Sequence, residues 1–308
     1  MPASKLIVIA GPTASGKSGL ALALAEKLSG VVINADSMQV YKDIPILAAT
    51  PSTEDTARAP HKLYGIYDAS IHGNMMDWLT LCRKEISSAR NENKIPIIVG
   101  GTGLYLETLQ KGASPIPETP KEIRQQIAEK LKVEGLPSLY KELQQIDETT
   151  ANRLSVNDTT RIRRALEVWQ HTGKNMTYWQ SIPLKQFYQS TEFLSIYINP
   201  PRDKLDTRCR IRFDKMVEHG ALAEAQTLLE RHLPDSLPAM HALGVQEFKA
   251  YLEDKCLLNE AIELAKLHTR QYAKRQSTWF NNRFKADFCY KNCYSEDKNF
   301  VDDIKKAL

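Results

Sequence analysis

Three short unbroken apolar runs mark the first hundred positions of the chain: Leu6–Ala10, Val31–Asn34 and Ile95–Val99. Runs of that length, rich in β-branched residues and bounded by glycine or proline, predict strands buried on both faces. Between them the apolar spacing becomes helical, so strand and helix alternate up to about residue 110. That order predicts a doubly wound, mainly parallel sheet. A proline-rich stretch, SPIPETP at Ser114–Pro120, interrupts the pattern, and from Lys121 to about Tyr178 the sequence is charged and helical with no strand candidate. FLSIYIN, Phe193–Asn199, predicts a strand returning to the sheet, and the remainder is mostly helical, with a long helix from about Leu258 to Phe280. The expected organisation is an α/β core made of residues 1–115 and 186–308, the latter ending in a helical region, around a small all-helical insertion at 116–185.

Composition adds bounds. A chain of 308 residues with 42% hydrophobic and 25% charged residues is ordinary for a globular protein. No apolar run approaches the roughly 20 residues a membrane span needs, so a soluble cytoplasmic protein is expected, with no membrane association. The five cysteines, Cys82, Cys209, Cys256, Cys289 and Cys293, are an odd number and scattered, which predicts reduced thiols; Cys289 and Cys293 have no second pair or histidine at metal spacing. A monomer is expected. A net charge of +4 decides little, but its distribution is uneven. Lys266–Ala286 holds Lys266, Arg270, Lys274, Arg275, Arg283 and Lys285 and no acid, and RIRR at Arg161–Arg164 forms a second cluster, so each could face nucleic-acid phosphates or simply solvent. In the first stretch Tyr272, Gln276 and Trp279 share helical spacing, and Trp279 with Phe280 is expected in the core.

The strongest chemical signal follows the first strand. GPTASGKS, comprising Gly11, Pro12, Thr13, Ala14, Ser15, Gly16, Lys17 and Ser18, fits the P-loop pattern of nucleotide-binding proteins between a strand and a helix. There the backbone N–H groups and the positive helix N-terminus hold phosphate, Lys17 reaches the terminal phosphates, and Ser18 can hold Mg²⁺. The loop does not say which phosphate ester it holds. An NTPase normally adds an acidic metal ligand at a strand end, and a GTPase an Asn-Lys-x-Asp base reader; here the third apolar run ends in GGTG, Gly100–Gly103. The acid appears instead after the second strand, in VINADSMQVY, where Asp36 stands at a carboxyl end of the sheet. Its alternative role is a helix N-cap.

GPTASGKS, ADSMQVY, Pro60-His61, IPIIVGGTGLYL, NDTTRIRRALEVW, RFDKM and TRQYAKRQSTWF, in that order from about residue 6 to about residue 283, resemble the tRNA dimethylallyltransferase family, also called tRNA isopentenyltransferases. The resemblance implies transfer of a dimethylallyl group from dimethylallyl diphosphate to the exocyclic N6 amine of the adenosine 3′ of the anticodon, with the phosphate loop holding the donor diphosphate. It implies Asp36 as general base, Thr102 close to amine and diphosphate, and Lys17 with Arg208, then Arg212, on the departing diphosphate. It places Asp36, Ser37, Met38, Gln39, Arg161 and Arg164 at the tRNA anticodon stem–loop, and the basic stretch of the last long helix adds Arg270, Lys274 and Arg275 as expected contacts to its phosphates. The chain departs from the family pattern at three places. ILAATP puts Leu47, Ala48 and Thr50 where Gly, Thr and Lys are usual. Ser155, Val156, Asn157, Asp158 and Thr159 replace His-Pro-Asn-Asp-Pro. GVQ, Gly244–Gln246, lacks the aromatic and cation of Gly-Tyr-Lys/Arg. Rival readings are an adenylate isopentenyltransferase using a free nucleotide, and a P-loop nucleotide kinase or ATP-dependent nucleic-acid factor.

Overall fold

The computed structural model describes residues 5–294 and 298–308. The chain divides into two compact units, one of Met1–Gln110 with Tyr188–Leu308 and one of Lys111–Phe187.

The first unit is built on a six-stranded sheet, parallel throughout, with strands β1 (Leu6–Ala10), β2 (Gly30–Asn34), β3 (His61–Lys62), β4 (Ile95–Gly100), β5 (Phe193–Ile198) and β6 (Phe288–Tyr290) in the order β3-β2-β4-β1-β5-β6. The four apolar runs form the adjacent inner strands β2, β4, β1 and β5, and every residue of β1, β2 and β5 is buried. The edge strands β3 and β6 are short and only half-buried, so they carry too little apolar signal to be predicted. Pairing sets Ala10 level with Gly100 and with Tyr197, and Asn34 level with Val99. The loops leaving β1, β2, β4 and β5 therefore start at one height, along the carboxyl edge where doubly wound sheets place ligands.

Helix α1 (Lys17–Leu28) packs Leu20, Ala21 and Leu24 into a core with Ile7, Ile9 and Ile97. Helix α2 (Met75–Asn91) buries Trp78, whose indole N–H donates to the Asn34 carbonyl at 2.7 Å and whose ring stacks on Tyr105 of α3 (Gly103–Lys111). A second core joins α6 (Arg202–Glu218), α7 (Ala221–Leu229), α8 (Val245–Leu252) and α9 (Leu258–Arg283) through Phe213, Phe248 and Ala265, and takes in Ile44 and Leu47 from the loop after β2. The long helix thus runs three residues past its expected end at Phe280. The last helix, α10 (Lys298–Lys306), packs Val301 and Ile304 into the core beside α1.

The second unit consists of α4 (Lys121–Ile146), kinked at Gly135 with φ +77° ahead of Pro137, α5 (Thr159–Thr172), and shorter helical turns. Ile127, Leu139, Leu143, Ile162 and Leu166 form its core, and its ends meet in an antiparallel bridge between Ala113 and Lys185. Among the described residues no helix is long and apolar enough to cross a membrane.

Candidate active site

The loop between β1 and α1 is held from outside at three successive residues. The Thr13 N–H donates to Gln276 Oε1 at 2.8 Å, the Ala14 carbonyl accepts from Arg208 Nε at 2.8 Å, and the Ser15 carbonyl accepts the Tyr294 N–H at 3.0 Å. Gly16 has φ +92°, and a Cβ there would lie 2.6 Å from the Tyr294 carbonyl oxygen, so both conformation and space require glycine. Lys17 is buried at 7% exposure and donates to the Pro12 carbonyl at 3.3 Å. Burial lowers its pKa to about 8, the Asp36 carboxylate working against that depression and the Arg212 guanidinium adding to it. Ser18 is exposed at the first turn of α1, and the Ser15 hydroxyl is buried without a hydrogen-bond partner among the described residues.

Alongside the loop lies a cleft of about 840 Å³, lined by Lys17, Ser18, Thr50, Arg208, Arg212 and Lys215 among others and by no acidic side chain. Burial depresses the Arg212 pKa, with Asp36 opposing. Lys17 is buried and Arg212 half-buried in this lining while Arg208 and Lys215 are exposed, and cations gathered along one cleft attract a polyanion. The lining also settles what the ILAATP departure does. Thr50 faces the cleft where lysine is usual, while Leu47 is buried and its tip would lie 2.6 Å from a Cβ on Gly244. That stretch of the loop is fixed by Glu224, which accepts the Ile46 and Leu47 N–H groups, each at 2.8 Å. The ILAATP and GVQ segments therefore pack on one another, Leu47 against Gly244.

Asp36 sits in the turn after β2. Its N–H donates to Asn34 Oδ1 at 2.8 Å, and its Oδ1 accepts the Met38 N–H at 3.0 Å, an Asx-type turn. No helix starts at Asp36, the next helical turn beginning only at Pro45, so the N-cap alternative is replaced by a turn that points the second carboxylate oxygen, Oδ2, toward Gly101. The GGTG turn is knitted to the same segment: the Ser37 N–H donates to Thr102 Oγ1 at 2.9 Å, and Thr102 Oγ1 donates to Ser37 Oγ at 3.2 Å. A Cβ on Gly100 would lie 2.0 Å from the Ala35 carbonyl, a contact only glycine permits. Gln39, expected to read the RNA, is buried and its amide donates to the Ala48 and Ala49 carbonyls at 3.0 and 2.8 Å. Its N–H groups thus hold the adjacent loop rather than face an open surface.

The basic stretch of α9 divides in two. Lys266 pairs with Asp214 and Glu263 at 2.6 and 2.8 Å, Arg270 with Asp206 at 3.4 Å, and Arg283 with Glu107 at 3.3 Å. The sequence window held no acid, but α6 and α3 bring theirs alongside, so Arg270 is a half-buried pair member and not an open phosphate ligand. Lys274 and Arg275 are exposed and form no ion pair among the described residues; Arg275 lies over the Tyr272 ring. Phe280 is fully buried as expected, whereas Trp279 lies against the GGTG turn, where a Cβ on Gly103 would meet its ring at 2.3 Å. In the second unit Asp158 caps α5, accepting the Arg161 N–H at 3.1 Å. Arg161 projects outward with 74% of its side chain exposed, while Arg164 donates to Thr119 Oγ1 at 2.7 Å and burial lowers its pKa.

A phosphate loop on a parallel sheet, a cationic cleft beside it and a carboxylate two strands away on the same carboxyl edge define a P-loop protein built for a phosphate ester and a second reactant. A family model described as IPP transferase matches residues 39–283. The tRNA dimethylallyltransferase of Zymomonas mobilis is 45% identical over 98% of this chain and 96% of its own length. A solved eukaryotic dimethylallyltransferase, described as acting on tRNA, shares 31% identity at a TM-score of 0.83 over 99% of this chain and 77% of that one. The full-length tRNA isopentenylpyrophosphate transferase of Bacillus halodurans also shares 31%, with a TM-score of 0.68 over 99% and 95%. The chain belongs to the IPP transferase family, and its curated relatives carry the name tRNA dimethylallyltransferase.

Proposed function

We propose that this protein transfers the dimethylallyl group of dimethylallyl diphosphate to the N6 amine of the adenosine immediately 3′ of the anticodon in tRNA, acting as a cytoplasmic monomer. The observation that carries this reading is the cationic cleft running beside the phosphate loop, together with Asp36 two strands over, beyond β4, a carboxylate with one oxygen fixed and the other directed toward the GGTG turn. In the transfer the allylic C–O bond breaks, the diphosphate keeps its electron pair, and a new C–N bond forms from the adenine amine. Lys17, Arg208, Arg212 and the loop amides stabilise the developing charge on the diphosphate without reorganising. The amine becomes acidic only as its lone pair is committed to carbon, and the proton passes to Asp36. Thr102 and Ser37, bonded to one another, hold the Asp36 segment against the turn over which the flipped adenosine lies. Ser18 fits Mg²⁺, being a hard oxygen donor beside a diphosphate site, and no cluster of three metal-binding side chains is found among the described residues. Bound there with diphosphate oxygens, Mg²⁺ would withdraw charge from the leaving group.

Lys274 and Arg275 on α9, and Arg161 and Arg164 in the second unit, supply phosphate contacts for the stem–loop. Single-turnover transfer to an anticodon stem–loop, run beside AMP and beside an ATPase assay, tests the reading. Product on the stem–loop alone is expected. Product on AMP would favour a free-nucleotide acceptor, and ATP hydrolysis at kinase rates would remove the assignment.

A further inference from the structure

Gln276 on α9 is 263 residues from the phosphate loop, yet its side chain closes hydrogen bonds to both ends of the site. Oε1 accepts the Thr13 N–H at 2.8 Å and Nε2 donates to the Gly101 carbonyl at 2.9 Å, with the side chain only 6% exposed. The fit is tight, since a Cβ on Gly101 would lie 2.3 Å from Nε2, and one turn further along Trp279 fills the space over Gly103. The chemistry singles out an amide: one atom must accept from an N–H while its neighbour donates to a carbonyl. A carboxylate would present a second acceptor to Gly101, and a hydrocarbon would leave a buried N–H and carbonyl unpaired, which costs more than a hydrogen bond gains.

We propose that Gln276 is a positioning residue that fixes the phosphate loop against the GGTG turn, setting the separation between the donor diphosphate and the acceptor amine. The inference rests on the donor and acceptor assignments above. Because Thr13 gives its N–H to protein rather than to phosphate, the direction in which the following amides open is set from α9.

The test uses Gln276→Glu and Gln276→Met in the full chain, with inorganic diphosphate binding measured by calorimetry as a ratio to the wild type at each pH. Burial raises a carboxyl pKa, and the protonated acid reproduces the amide's pattern, accepting from Thr13 and donating to Gly101. At about pH 8 both variants are expected to bind diphosphate about ten- to a hundredfold more weakly than wild type. Near about pH 5.5 Gln276→Glu should return close to wild type while Gln276→Met stays weak. Stem–loop binding should be unchanged in both. Wild-type diphosphate affinity for both variants across the range would overturn the proposal, as would failure of a Gln276→Glu variant of unaltered melting temperature to recover in acid. A wild type that transfers nothing to the stem–loop, with this pattern intact, would remove the reaction assignment and leave the brace standing.

Discussion

The cations of the phosphate-loop cleft and those of α9 are the same residue types put to opposite uses. Lys17 is buried and bonded to a main-chain carbonyl, Arg208 is tied by its Nε to the loop, and burial depresses the pKa of Arg212. Lys274 and Arg275 stand exposed, and the neighbours that might have joined them, Lys266, Arg270 and Arg283, are occupied by acids. A preorganised charge acts on a transition state in a place where water cannot substitute for it; an exposed one adds a screened contribution to affinity. The first kind should be irreplaceable and insensitive to salt, the second interchangeable and salt-dependent.

The largest effect expected from breaking this arrangement is at Asp36. Asp36→Asn keeps the acceptor for the Met38 N–H, so melting temperature and binding of both substrates should hardly move while single-turnover transfer falls by about two to four powers of ten. A near wild-type rate would take Asp36 out of the mechanism. Next is Lys17→Ala, for which turnover should drop by about a hundredfold or more, the loss associated with one preorganised donor, with little change in stem–loop affinity. Neutralising Lys274 and Arg275 together should instead leave diphosphate binding intact and flatten the salt dependence of stem–loop binding by up to about two units of slope. Adding Arg270→Ala should flatten it little further, since that side chain already answers Asp206. An unchanged slope in the double variant would make the exposed face of α9 irrelevant to RNA.

The smallest effect is a dependence on pH. Free Lys17 loses its proton near pH 8, and a bound diphosphate would hold it, so affinity for inorganic diphosphate should fall as pH rises above about 8, by up to about tenfold per unit. Lys17→Met should remove that slope. Stability runs the other way. A folded-state pKa below the ordinary 10.5 means the unfolded chain binds the extra proton between the two values, so the cost of burying a charged Lys17 is present below pH 8 and is relieved as pH rises toward 10.5. Thermal melts of the wild type and Lys17→Met across that window check it.

Local signals made the centre of this fold readable and left its margins obscure. Leu6–Ala10, Val31–Asn34, Ile95–Val99 and Phe193–Asn199 declare themselves as buried strands because both faces are apolar; β3 and β6 are two- and three-residue edge strands that pairing alone creates. The phosphate loop, Asp36 and the GGTG turn are contiguous motifs and could be found by pattern. What their side chains touch could not. The Gln39 amide turns to Ala48 and Ala49, Arg270 finds Asp206, and Gln276 reaches Thr13, each through a tertiary approach with no trace in local spacing. Asp36 shows the limit well, because its identity suggested either a base or a helix cap, and only the course of the chain after Ser37 chooses a turn.

The phosphate loop is synthesised before every one of the three residues that hold it from outside. Thr13, Ala14 and Ser15 wait for Gln276, Arg208 and Tyr294 in turn, so a nascent chain carries the complete motif without a finished donor site until Tyr294 has been made. A chain stopped short of Tyr294 would keep every residue of GPTASGKS and lose one of the three outside holds on it, and so the biosynthetic clock of the donor site is set by residues made long after its own motif.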